Sequence, residues 1–171
     1  MNARSNDLLV DAIANDGYAI TPDFLLPPLI KALADEARAL HAQGGLQAAT
    51  TGLSSRRSAD NMGLRGDFIH WLEEEEASTA QRDYLTAMRQ LQQDFNQALF
   101  MGLFELETHL AIYPPGAVYR KHLDQFQGRD ERQLSCILYL NEDWQPDDGG
   151  TLRIYLNGNA SEPYVDVSPT G

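Results

Sequence analysis

Cysteine is almost absent from this chain: Cys136 stands alone in 171 residues. One thiol closes no internal disulfide, so a disulfide scaffold is excluded. Set within an apolar stretch, it reads as a small buried hydrophobe. Positive charge is scarce as well, with 13 Lys and Arg against 25 Asp and Glu and a net charge of -12. Phosphate backbones and anionic lipid surfaces would be repelled, so neither nucleic acid nor a membrane is an expected partner. No apolar run approaches the roughly 20 residues of a membrane span. The N-terminus has no signal-peptide apolar core, which makes a cytoplasmic location the default. Only four histidines are present, at 41, 70, 109 and 122.

What remains is ordinary globular material, 43% hydrophobic and 22% charged, enough for one domain over residues 1–171 with a real core. A helix is expected over 6–16, with Asn6 as N-cap and Gly17 as its stop. A short extended piece follows at Tyr18–Ile20. Pro27-Pro28 opens a second helix to about Ala42, with Ile30, Leu33, Ala37 and Leu40 on one face. His41 lies in its last turn, where a cation suits the helix dipole. From Gly44 to Gly63 apolar periodicity fades, and a functional loop is expected over 44–67. Phe68–Trp71 reads as a strand and Ser78–Met101 as a sheet-supporting helix behind the acidic run Glu73–Glu76, closed by Gly102. Glu105–Tyr113 begins a run of strands with Leu106, Leu110 and Ile112 on one face. His70 and His109 read as structural residues. Residues 1–102 are thus mainly helical support and 103–171 mainly strands, an α+β pattern.

The chemistry gathers between Thr108 and Tyr155. Tyr113-Pro114-Pro115-Gly116 supplies a turn. His122-Leu123-Asp124 then ends an extended segment, where side chains two apart share a face. An imidazole and a carboxylate so placed are two thirds of the 2-His-1-carboxylate set that holds non-haem Fe(II). Leu134–Leu140 is apolar on both faces apart from Ser135 and Tyr139, as in a strand covered on both sides. Asp147-Asp148-Gly149-Gly150 turns the chain into Thr151–Tyr155.

Four pieces, LRGDFIHW (64–71), YPPGAVYRKHLD (113–124), LYLNEDW (138–144) and GGTLRIY (149–155), resemble in order and spacing the 2-oxoglutarate- and Fe(II)-dependent oxygenases. The branch they resemble is that of the hypoxia-sensing prolyl hydroxylases and their bacterial relatives. The resemblance implies a double-stranded β-helix, a cupin-like jelly roll, with the N-terminal helices packed outside it. It implies iron held by His122 and Asp124, with 2-oxoglutarate contacted by Tyr139 and Tyr113, and ascorbate as a further candidate cofactor. The loop that ends at Arg65-Gly66-Asp67 becomes a finger over the substrate, and Arg65 and Asp67 take substrate-facing or loop-anchoring roles. The implied reaction hydroxylates a prolyl residue of a protein, a translation factor being one candidate. It is coupled to decarboxylation of 2-oxoglutarate to succinate.

One departure stands out. A complete member has a second histidine ligand late in the barrel, followed by an arginine that pairs with the cosubstrate. The 47 residues after Asp124 in this 171-residue chain contain no histidine, and the last arginine, Arg153, does not match that late arginine. The chain is therefore expected to lack its last barrel strands and, as it stands, to bind iron weakly. A noncatalytic jelly roll that binds a protein partner is the alternative expectation.

Overall fold

The computed structural model describes residues 3–49, 65–124, 132–156 and 163–170. The elements are α1 (Ala3–Asp16), α2 (Pro27–Ala42), β1 (Gln47–Ala48), β2 (Phe68–Trp71), α3 (Thr79–Leu99), β3 (His109–Ile112), β4 (Leu152–Tyr155) and β5 (Tyr164–Val167). They form an α+β arrangement, in which an antiparallel sheet β1-β2-β3 and a separate antiparallel pair β4-β5 accompany three helices.

Helix α3 is the hub. Met88, Leu91 and Phe95 pack on Leu9 and Val10 of α1, while Ala87 meets Leu25 and Leu33. Ala37, Leu72 and Leu110 join α2 to the sheet. Tyr84 packs against all three clusters and its hydroxyl reaches the Thr108 Oγ1 at 3.1 Å. Ser78 caps α3: its hydroxyl accepts from the Gln81 amide at 3.1 Å and donates to the Glu36 carboxylate at 2.9 Å, while Gln81 reaches back to the Ser78 amide. Ser78→Ala removes that cap and one partner of Glu36, so urea unfolding is expected to show a loss of about 1 kcal/mol. A midpoint unmoved by the change would mean that the cap contributes nothing here.

Several local expectations are corrected. Asn6 is no N-cap, because α1 begins before it. The Asn6 side chain is buried and its Nδ2 donates to Asp94 of α3 at 2.5 Å. Gly102 is not the stop of α3 either, since Phe100 already takes the left-handed conformation at φ 54°. Tyr18–Ile20 joins no strand, and β3 covers only four residues of the longer strand foreseen over 105–113. Leu134–Leu140 pairs with no described strand and is half-buried or exposed throughout, so it is not covered on both sides. Cys136 is accordingly exposed rather than buried. The expected loop over 44–67 is described only at its ends: Gln47 pairs with Ile69, while residues 50–64 lie outside the described residues.

The edge that carries the site has an unusual register. Phe68 pairs with Ile112, and Arg65 then bridges Tyr119, also antiparallel. Three positions separate the first two residues and seven the second two, so four residues loop out of β3's continuation. Pro114–Ala117 form that excursion, closed by the Ala117 amide on the Pro114 carbonyl at 2.9 Å, with Gly116 at φ 82°. The turn therefore does not fold the chain back onto β3. The chain resumes along the same edge, with the Gly66 amide donating to the Val118 carbonyl at 3.1 Å. A Cβ on Gly66 would stand 3.3 Å from that of Ala117, tight enough that a side chain there would push the edge apart.

Candidate metal centre

His122 and Asp124 do converge, though not by strand alternation. Residues 120–124 lie in a bend beyond the Arg65–Tyr119 bridge and pair with no strand. His122 Nε2 stands 3.1 Å from Asp124 Oδ1, and His122 Nδ1 stands 2.6 Å from the Arg120 carbonyl. A carbonyl only accepts, so Nδ1 carries the proton. Nε2 faces Asp124 Oδ1 directly, a hydrogen-bonded ion pair when that nitrogen carries a proton and two donor atoms open to a cation when it does not.

The partners around the pair hold it in place. The Ser135 hydroxyl makes a very short hydrogen bond to Asp124 Oδ2, leaving Oδ1 to face His122. The Tyr119 ring lies 3.6 Å from the His122 ring at 14°. Behind Tyr119 sits Arg65, its Cζ 4.4 Å from the ring centroid. Arg65 in turn grips Asp67 through two hydrogen bonds of 2.7 and 2.5 Å, and the Asp67 carboxylate is wholly buried. Bound in this way, the guanidinium holds its proton more tightly than usual, the hydrogen bond to Asp67 being the main cause. Lys121 rests over the Tyr155 ring at 3.9 Å, tying the bend to β4.

Tyr113 is near enough to Asp67, Arg65, Tyr119 and Tyr139 to feel their charges. Burial, then the Asp67 carboxylate, push the Tyr113 phenol up to about 12, and Tyr119 and Tyr139 also act on it. Burial raises the Tyr139 phenol too. Both phenols are therefore hydrogen-bond donors at neutral pH.

The other histidines stay apart from the pair. His70 Nδ1 lies 3.2 Å from the Gly45 carbonyl, His109 packs edge-on to Trp71, and His41 packs edge-on to Phe68. Burial first, then Arg65, hold His109 below its ordinary pKa. Among the described residues no group of three or more His, Cys, Asp and Glu side chains gathers to hold a metal. Arg153 is engaged by Asp166 across β4-β5, with two contacts of 2.8 Å, and lies 3.8 Å from the Tyr164 ring centroid.

Sequence reasoning missed two residues of this centre. Ser135 had a signal: it is one of two polar positions in Leu134–Leu140, four residues from Tyr139 and so on the same face of an extended segment. Tyr119 had none: alternation sends it to the face opposite His122, and only the bend brings the rings together.

A model of the 2OG-Fe(II) oxygenase superfamily matches residues 108–170. Human Egl nine homolog 1 is 33% identical over 171 residues, covering 95% of this chain and 38% of that protein. The chain thus spans less than half the length of that curated relative. The crystal structure of a Pseudomonas putida prolyl-4-hydroxylase matches with a TM-score of 0.82 at 43% identity, over 96% of this chain and 82% of that one. A Trichoplax adhaerens prolyl hydroxylase, solved with a hypoxia inducible factor peptide fragment, shares the fold, with a TM-score of 0.75 at 23% identity over 98% and 74% of the two chains. The donor pair lies within the matched residues, and the bacterial likeness runs nearly end to end: the chain belongs to the 2-oxoglutarate- and Fe(II)-dependent oxygenases, in the prolyl hydroxylase branch.

Proposed function

We propose that this protein is a dioxygenase that hydroxylates a prolyl residue of a protein substrate, with Fe(II) as its metal and 2-oxoglutarate as cosubstrate. The observation that carries this reading is the 3.1 Å approach of His122 Nε2 to Asp124 Oδ1, with Nδ1 held by the Arg120 carbonyl and the second Asp124 oxygen held by Ser135. An imidazole nitrogen and a carboxylate oxygen are donors that suit ferrous iron. The residues fit the metal as two of its protein ligands. The antiparallel strands would belong to a double-stranded β-helix core, and a cytoplasmic setting and a role for ascorbate go with the same reading.

Bound iron and 2-oxoglutarate together supply the oxidative chemistry, in which decarboxylation to succinate is coupled to hydroxylation. The protein's part is position. Ser135 leaves one oxygen of Asp124 for the metal, and Arg120 fixes which imidazole nitrogen faces it. Tyr139, a protonated phenol, would donate a hydrogen bond to the cosubstrate's distal carboxylate, and Tyr113 would lie beside the cosubstrate. Asp67 is sealed beneath Arg65, so its contribution to substrate binding would pass through the Arg65 guanidinium. The acidic character of the chain, -12 overall, favours a substrate segment that is not itself acidic.

The test is succinate formation by the full-length protein with Fe(II), 2-oxoglutarate and proline peptides, including peptides from translation factors, with mass spectrometry for one added oxygen. Succinate and the added oxygen are expected together. Iron bound without turnover on any proline substrate would instead support the noncatalytic partner-binding reading.

A further inference from the structure

Three flat groups stand one behind another at this centre: the Arg65 guanidinium, the Tyr119 ring and the His122 imidazole. The geometry points to Tyr119 as a positioning residue for His122, its ring setting the tilt of the imidazole and hence the direction of the Nε2 lone pair. This rests on the ligand role proposed above for His122.

The Arg120 carbonyl stands 2.6 Å from Nδ1 and Asp124 Oδ1 3.1 Å from Nε2. A ring N–H weakens steeply as a donor only when its angle falls below about 120°. These contacts therefore set rotation about the Cβ–Cγ bond coarsely, and packing narrows it. Tyr119, at 3.6 Å and 14°, is in van der Waals contact across the ring face, so the imidazole cannot tip toward it without overlap. The phenol ring cannot retreat, because Arg65 lies behind it at 4.4 Å. Arg65 is itself fixed by two hydrogen bonds to the buried Asp67 carboxylate and by its backbone bridge to Tyr119. The orientation of a ligand in a half-exposed bend is thus referred to a carboxylate in the interior. The face of the Tyr119 ring does this, and its hydroxyl has no part in it.

The proposal is tested on the full-length protein by anaerobic calorimetric titration with Fe(II), beside NMR of the metal-free protein carrying labelled histidine. Tyr119→Leu keeps bulk but removes the flat face, and is expected to bind Fe(II) about tenfold more weakly, as loss of an outer-shell partner does. Tyr119→Phe is expected to stay within about twofold of the parent on the same scale. In the parent and the Phe variant the His122 ring protons should be shifted upfield by the stacked ring, and in the Leu variant that shift should vanish. Equal Fe(II) affinity in the Leu variant and the parent overturns the proposal. So do unshifted His122 ring protons in the parent, a result that needs no folded variant. Failure of the parent to bind Fe(II), or full binding by His122→Ala, would sink the ligand assignment itself and is read separately.

Discussion

His122→Ala leaves the full-length protein without measurable Fe(II) affinity in anaerobic titration, a loss expected to exceed the ten- to hundredfold that follows removal of an outer-shell partner. The imidazole is one of two donors in the pair, and no described neighbour can replace it. His70 and His109 are engaged by Gly45 and Trp71, away from Asp124. The fold should be unaffected, because His122 sits in a bend outside the core clusters and surface changes of this kind usually stay within about 0.5 kcal/mol. Calorimetry and a thermal melt on the same sample separate the two readouts. Unchanged iron affinity would end the assignment of His122 as ligand.

Asp67→Ala is expected to be the most damaging single change to stability, lowering it by about 3–5 kcal/mol, the usual consequence of removing one partner from a buried ion pair. In a chain of this size that is on the order of 6–20 °C in melting temperature. The Asp67 carboxylate is 0% exposed and the Arg65 side chain 13%, so the orphaned guanidinium could not simply turn to water. It would also lose the anchor that holds it behind Tyr119. The pair Arg65→Met with Asp67→Leu should recover most of the loss, since two apolar groups of similar bulk replace two charges together. Urea unfolding measures both variants. A drop for Asp67→Ala no larger than an exposed substitution gives would show that the pair is solvated and unimportant.

Helices were the legible part of this chain wherever the signal was local. Pro27-Pro28 marks the start of α2 and Ser78 the start of α3, because fixed φ and a capping hydroxyl act on their own turn. Asn6 misled for the same reason: its side chain suits a cap, but Asp94, 88 residues away, takes it into the interface between α1 and α3. Leu134–Leu140 misled because an apolar run reports a preference for neighbours and not their presence. At the candidate metal centre His122 and Asp124 were visible from spacing, yet the geometry that unites them is a bend and not a pleat. Tyr119 was invisible, since its place depends on how many residues are looped out before it.

That excursion at Pro114–Ala117 works as a phase setter. Arg65 meets Tyr119 only because four residues are spooled out before the chain rejoins the edge. One residue more or fewer would bring a different side chain opposite the guanidinium and carry the His122–Asp124 pair out of step with Ser135. For anyone grafting a tag, a probe or a shortened loop into this scaffold, the length of that turn is fixed even though its surface is open to solvent.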